Sequence, residues 1–164
     1  MSHFPLGLAF VVSALRCEGH EVVVLDLMFL QEWKEKLLST LDVLHPDVIG
    51  LSIRNIDNQD MHKPVFFLSS HLKIVKAIRG HSNVPIILGG AGFNIHPAGC
   101  LRYLDADFGT YGEGEESFPH LLDAMQDGTF ALENILYFLY IEVASALNLL
   151  HPLKMGMAKS LKIV

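Results

Sequence analysis

The sequence predicts an α/β protein with a doubly wound parallel sheet. Short runs rich in β-branched residues alternate with segments of helical periodicity, which is typical of parallel strands joined by right-handed crossovers. The predicted strands are continuously apolar, as expected where helices cover both faces of a sheet. With 164 residues, of which 51% are hydrophobic and 18% are charged, the chain has enough apolar material for the core of one domain.

The first half of the chain contains two predicted strands and three predicted helices. Pro5 suits the first turn of the opening helix and Gly19 its end, while Pro46 closes the second helix. In order, the elements are a helix from Pro5 to Arg16, a strand from Glu21 to Leu27, a helix from Gln31 to Leu44, a strand from Val48 to Ile53, a polar loop from Arg54 to Lys63 and a helix from Pro64 to Arg79.

Two further strands follow, and glycines stand directly after each of them. Glycine permits the tight turns that lead from a strand into the next helix. In order, the elements are a strand from Val84 to Leu88, a flexible turn with Gly89, Gly90 and Gly92, a short helix from Ala98 to Leu104, a strand from Asp107 to Tyr111 and a helix from Glu115 to Gln126.

The chain after Gly128 has a different character, so we divide it into a domain of residues 1–128 and a tail of residues 129–164. Apolar residues recur at helical spacing from Leu132 to Leu150, although the segment YFLYIEV within this stretch has strong strand propensity. We interpret the tail as helical. Acidic and amide side chains interrupt the stretch, so we expect no membrane span.

Charge and cysteine usage exclude several classes of protein. With 12 Lys and Arg against 18 Asp and Glu, the chain offers no basic surface for a nucleic acid. Cys17 and Cys100 are far apart in sequence, which argues against a zinc pair or a disulfide framework. Because no secretory signal is visible either, we expect a cytoplasmic protein.

Three loops follow predicted strands and fall on the same edge of the predicted sheet. They are SIRNIDN from Ser52, GGAGFN from Gly89 and GEGE from Gly112. Ligands of open α/β sheets bind beyond the carboxyl ends of the strands. Each loop alone is explained by a tight turn, but the three together favour a ligand site.

Common catalytic and nucleotide-binding motifs are missing from these loops. The segment after Gly90 lacks the third glycine of a dinucleotide fingerprint, and the glutamates after Gly112 would repel a pyrophosphate. The sequence contains no phosphate loop, no H-E-x-x-H and no G-x-S-x-G. The residues alone therefore assign no catalytic group.

Four ordered segments carry a resemblance to a known family. They are PLGLAFVVSALRCEGHEVVVLDL from Pro5, HPDVIGLSIRN from His45, VPIILGGAGFNIHP from Val84 and DFGTYGEGEESFPHLL from Asp107. Over about Pro5 to Asp127 the chain resembles the N-terminal cobalamin (vitamin B12)-binding domain of B12-binding radical SAM proteins. The resemblance implies a flavodoxin-like (Rossmann-like), three-layer fold that binds cobalamin at the C-terminal edge of its sheet.

The resemblance also implies which residues contact the cofactor. Ser52 matches the serine after the third family strand, Gly89 and Gly90 match the glycine pair beside the nucleotide tail, and Gly112 with Gly114 matches the G-E-G-E turn. The full set of expected cofactor-binding residues is Ser52, Ile53, Arg54, Asn55, Gly89, Gly90, Gly92, Phe93, Tyr111, Gly112, Glu113 and Gly114.

The chain departs from the family pattern in three respects. Only Met1 to Phe4 stands where the family's first strand precedes the opening helix. The cobalt-ligating D-x-H-x-x-G motif of related mutase domains is missing, and His3 lacks its aspartate and glycine, so we expect no metal ligand. Two cysteines cannot form the C-x-x-x-C-x-x-C motif of radical SAM enzymes, so we expect no iron–sulfur cluster and no catalysis by this chain alone.

Three functional hypotheses remain at this point. The first is a cobalamin-binding module whose partner is a radical SAM catalytic domain on another chain, or a second copy of itself. The second is a flavodoxin-like interaction domain that no longer binds a cofactor, and the third is a flavodoxin-like enzyme that uses a nucleotide.

The missing first strand leaves a gap in the predicted sheet, because that strand is central in the strand order 2-1-3-4-5. Unpaired backbone groups inside a sheet are costly, so the gap must be filled or closed. We expect the strands at Glu21 to Leu27 and Val48 to Ile53 to pair directly, or with a partner chain, rather than with the tail.

Overall fold

The computed structural model describes residues 6–27, 30–58, 60–63 and 65–127, together with the backbone of residues 138–140 and 162–163. Helices and strands alternate as the sequence predicts. The elements are α1 (Leu6–Cys17), β1 (Glu21–Val22), α2 (Trp33–Leu44), β2 (Ile49–Ser52), α3 (Leu68–Arg79), β3 (Ile86–Gly89), α4 (Ala91–Ile95), α5 (Pro97–Leu104), β4 (Phe108–Thr110), α6 (Gly114–Asp127), β5 (Phe138–Tyr140) and β6 (Lys162–Ile163).

The main sheet has four strands in the order β2-β3-β4-β5. Strands β2, β3 and β4 are parallel, with Ile49 opposite Ile86 and Ile87 opposite Phe108. Strand β5 pairs antiparallel with β4. The parallel part of the sheet confirms the predicted α/β architecture.

Helices cover both faces of this sheet, which makes three layers. On one face, buried side chains of α2, α3 and α5 pack against Ile49, Ile86 and Leu88. On the other face, buried side chains of α1 and α6 pack against Ile87 and Phe108. Adjacent residues of β3 therefore face opposite clusters, which explains why the strand reads as a continuous apolar run.

Two predicted elements differ from the structure near the strands. The strand predicted from Glu21 to Leu27 is regular only at Glu21–Val22, and residues 23–27 have no regular secondary structure. The predicted flexible turn after β3 is largely the short helix Ala91–Ile95, with the turn confined to Gly90. Neither glycine content nor β propensity reports whether a neighbouring strand is present to pair with.

The tail contains a strand where we predicted a helix. Phe138–Tyr140 pairs antiparallel with Phe108–Thr110, so the strand propensity of this segment prevails over its helical spacing. The remainder of the predicted tail helix lies outside the described residues. Among the residues that the structure describes, no helix is long and apolar enough to cross a membrane.

The expected direct pairing of β1 with β2 is wrong. Strand β1 pairs in parallel with β6, with Glu21 opposite Lys162 and Val22 opposite Ile163, while β2 pairs with β3. The tail, which we disfavoured, therefore supplies the neighbour of β1. This pairing gives the backbone groups of β1 hydrogen-bonding partners without bringing β1 and β2 together.

Candidate functional site

The three glycine-containing loops leave the same edge of the sheet. Ser52 at the end of β2 stands opposite Gly89 at the end of β3, and Leu88 stands opposite Gly109 in β4. Because these strands are parallel and in register, the loops after them begin side by side. The structure thus confirms the expected common edge.

The first two loops are joined through their backbones. The Ile53 N–H donates to the Gly89 carbonyl at 2.8 Å, and the Gly92 N–H donates to the Ile53 carbonyl at 2.8 Å. A Cβ atom added to Gly90 would lie 2.7 Å from the Ile53 carbonyl oxygen, and one added to Gly92 would lie 2.9 Å from the Asn55 nitrogen. These glycines are therefore needed for contact between the loops, whatever ligand binds beside them.

Two of the expected site residues have side chains in the core. Ile53 and Phe93 both have 0% of their surface exposed and belong to the cluster on the α2, α3 and α5 face. A Cβ atom on Gly109 would collide with the Phe93 ring, so this strand glycine makes room for the ring. Ile53 and Phe93 can contact a ligand through their backbone but serve mainly to fix the two loops.

The third loop turns at Gly112. This residue has a φ of +85°, is exposed, and has nothing within 4 Å of the position a Cβ atom would take. Its conformation is one that glycine adopts readily, and the space beside it is open. The carbonyl of Glu113 then accepts bonds from the backbone N–H of Ser117 (3.0 Å) and from its hydroxyl (2.9 Å), which fixes the start of α6.

Several polar side chains at this edge are available to a ligand. Ser52, Arg54 and Asn55 are exposed, and within the described ranges none of their side chains forms a hydrogen bond or ion pair. Tyr111, with 47% of its surface exposed, and Glu113 complete the exposed members of the expected set. The edge therefore offers exposed hydroxyl, amide and guanidinium groups as well as an open glycine turn.

Sequence reasoning missed one residue that connects these loops. The Asn94 side chain donates to the Gly112 carbonyl and accepts from the Gly112 N–H. Asn94 ends the GGAGFN segment that the sequence singled out, but side-chain pairing with a loop 18 residues away has no signature in the sequence.

The buried titratable groups lie away from the three loops. Burial lowers the pKa of His20, an effect that the negative charges of Asp123 and Glu18 partly oppose. Burial also raises the pKa of the Cys100 thiol in α5. The described residues contain no group of His, Cys, Asp and Glu that could hold a metal ion, and His3 lies outside them.

Residues 1–122 match a known protein family. They match the family described as the B12 binding domain, which covers the whole of the glycine-loop edge. The match agrees with the resemblance found in the sequence blocks.

Curated relatives extend well beyond this region. Tryptophan 2-C-methyltransferase of Streptomyces laurentii is 28% identical over 128 residues, which are 77% of this chain and 21% of the relative. An uncharacterized methyltransferase of Pyrococcus horikoshii is 28% identical over 145 residues, which are 88% of this chain and 29% of the relative. The chain thus spans less than a third of these relatives.

Two solved structures resemble this chain in both fold and sequence. The radical S-adenosylmethionine methyltransferase TsrM from Kitasatospora setae is similar with a TM-score of 0.72 and 32% identity, over 76% of this chain. One such structure contains tryptophan and a S-adenosylmethionine analogue, and another contains cobalamin and a [4Fe-4S] cluster. The similar region makes up 23% and 22% of those chains.

Proposed function

The chain belongs to the B12-binding domain family, and from that premise we propose that it binds cobalamin at the edge where the loops after β2, β3 and β4 meet. The observation that carries the proposal is that the open turn at Gly112 leaves the same edge of the sheet as the exposed side chains of Ser52 and Arg54. The cofactor-binding unit is proposed to span residues 1–128, with residues 129–164 as an added tail.

The donor set at this edge fits the chemistry of cobalamin. The rim of a corrin carries amide groups and its nucleotide tail carries a phosphate, so the ligand needs hydrogen-bonding partners and a cation. Ser52 and Asn55 would form the hydrogen bonds, and Arg54 would be the cation. Tyr111 would cover an apolar surface of the cofactor. Gly90 and Gly92 allow the loop after β3 to contact the loop that carries Ser52, Arg54 and Asn55.

The chain's own residues would bind and orient the cofactor, not carry out the reaction. Bound cobalamin supplies a cobalt centre that, in the parent family, works with a radical to methylate or rearrange unactivated carbons. The 164 residues contain no C-x-x-x-C-x-x-C motif, and we propose that this module works with a radical SAM catalytic domain, for which another chain is one possible source. A second copy of this chain is the alternative partner.

The location we propose is the cytoplasm. Cys17 and Cys100 are both free, the first exposed and the second buried. Unpaired cysteines of this kind are typical of a reducing compartment.

The proposal is tested by filling the open turn. We expect Gly112→Val to weaken hydroxocobalamin binding, since it puts a branched side chain into the space beside the loop. The matched control is Gly19→Val, because Gly19 has a similar φ of +89° and an added Cβ there also meets nothing within 4 Å. Equal affinity of the two variants would overturn the assignment of this edge.

A thermal-shift panel distinguishes cobalamin binding from nucleotide binding. We expect hydroxocobalamin to raise the melting temperature of the full chain, and flavin or nicotinamide nucleotides to leave it unchanged. Stabilisation by a nucleotide alone would favour the flavodoxin-like enzyme. Stabilisation by none of the ligands would favour the interaction domain.

A further inference from the structure

One side chain joins two of the three loops at the candidate edge. The Asn94 Nδ2 donates to the Gly112 carbonyl oxygen at 3.4 Å, and the Asn94 Oδ1 accepts from the Gly112 N–H at 3.3 Å. A single side-chain amide therefore pairs with both backbone groups of one residue.

Asn94 is also held within its own loop, by a backbone bond of α4. Its backbone N–H donates to the Gly90 carbonyl at 3.2 Å. Gly90 and Gly112 have φ values of +100° and +85°, so Asn94 stands between two glycines in left-handed conformations. Any movement of the Gly112 turn relative to the Gly90 turn would break at least one of these bonds.

The Gly112 turn has little else to hold it. It is exposed, no atom lies within 4 Å of its Cβ position, and in the part of the chain that the structure describes no other hydrogen bond reaches Gly112. An unrestrained glycine samples a wide range of backbone conformations, and ordering it on binding a ligand has an entropic cost. The Asn94 amide reduces that cost by ordering the turn beforehand.

We propose that Asn94 is a positioning residue for cobalamin, because its amide pre-orders the Gly112 turn and sets its distance from the Gly90 loop. Asn94 acts through Gly112, so no contact between Asn94 and the cofactor is needed. This inference rests on the proposed function of the edge as a cobalamin site, and it adds a residue that the expected site did not contain.

The first test compares variants of Asn94 in the full chain by hydroxocobalamin titration. We expect N94A to raise the dissociation constant on the order of tenfold, because two hydrogen bonds to the turn are lost. We expect N94D to be weakened similarly, because a carboxylate oxygen would then face the Gly112 carbonyl oxygen. The control is R79M at the opposite edge of the sheet, which should lower the melting temperature and leave the dissociation constant unchanged.

A second measurement examines the turn without cofactor. We expect the Gly112 amide to exchange with solvent faster in N94A than in the unaltered chain, while amides of α3 exchange at the same rate. In double variants with Gly112→Ala, the effects of the two substitutions on affinity should be less than additive, since both act on one turn.

The possible outcomes separate this inference from the proposed function. If the unaltered chain binds cobalamin and N94A binds equally well, or R79M loses as much affinity as N94A, the positioning role is wrong. If the unaltered chain does not bind cobalamin, the proposed function fails and the cofactor role of Asn94 fails with it. In that case faster exchange at Gly112 in N94A would still identify Asn94 as the residue that holds the turn.

Discussion

Arg79 and Asp107 form an ion pair with 2.5 Å between Nη2 and Oδ2, which ties the end of α3 to the start of β4. The same carboxylate oxygen accepts from the Ile86 N–H at 2.7 Å, and Arg79 also donates to the carbonyls of Val84 and Asp105. Together these bonds join α3 to the starts of β3 and β4, at the edge of the sheet opposite the glycine loops.

We expect Asp107→Asn and Arg79→Met each to lower the free energy of unfolding by about 1 to 2 kcal/mol, an amount reduced because both side chains are partly exposed. Urea denaturation would measure the loss. The double variant should lose less than the sum of the single losses, because the two groups interact directly. Strict additivity would show that the pair contributes no coupling.

A second prediction concerns Gly90, where two effects can be separated. Alanine at Gly90 would suffer both from the positive φ of +100° and from a Cβ atom 2.7 Å from the Ile53 carbonyl oxygen. The matched control is Gly19→Ala, which has a φ of +89° and no neighbour within 4 Å. We expect the control to cost about 1 kcal/mol and Gly90→Ala about 1 to 3 kcal/mol more in urea denaturation. Equal costs would mean that the two loops do not meet as described.

A third prediction concerns pH. Because burial lowers the pKa of His20 in the folded chain, the unfolded chain binds more protons at this residue. The stability that His20 contributes is therefore complete above its ordinary pKa of about 6.5 and is lost as the pH falls below that value. The free energy of unfolding would be measured as the pH is lowered from about 7.5 to about 5. We expect it to fall less steeply for His20→Gln than for the unaltered chain.

The control for this prediction is His120→Gln, because His120 lies exposed on α6. It shows how much of any change follows from replacing a histidine at the surface of the chain. If His20→Gln and the unaltered chain lost stability equally as the pH is lowered, His20 would not contribute to the pH dependence of stability.

A fourth prediction concerns the tail. Strand β6 pairs in parallel with β1, with Glu21 opposite Lys162 and Val22 opposite Ile163. Replacing both Lys162 and Ile163 with proline removes any backbone N–H that this strand donates to β1. We expect a loss of about 1 to 3 kcal/mol in urea denaturation and faster amide exchange at Glu21 and Val22. The control pair is Lys162→Thr with Ile163→Val, which is compatible with a strand.

Unchanged exchange at Glu21 and Val22 in the proline variant would contradict the pairing of β1 with β6. Exchange that slows with rising protein concentration would instead indicate that the neighbouring strand comes from a second copy of the chain.

The sequence was informative where a pattern depends on local chemistry. Continuous apolar runs such as 86–88 identify strands covered on both faces, and their order along the chain places the glycine loops on one edge. The family blocks add the expected cofactor contacts, of which Ser52 and Gly112 are exposed in the structure and Phe93 is in the core.

Long-range pairing could not be predicted from local patterns. The short length of β1, the strand at Phe138–Tyr140 and the pairing of Val22 with Ile163 all depend on which neighbour is present in space. The bond from Asn94 to Gly112 depends in the same way on two loops that meet only after the sheet forms. Periodicity reports which face of an element is apolar, but it does not report which partner covers that face.

We propose that this chain binds cobalamin at the edge formed by the loops after β2, β3 and β4. This proposal is tested most directly by incubating the purified full chain with excess hydroxocobalamin, separating free cofactor by gel filtration, and measuring the visible spectrum of the protein fraction. We expect a coloured protein fraction with about one cobalamin per chain and a spectrum that differs from that of the free cofactor. A protein fraction that elutes folded and colourless would contradict it.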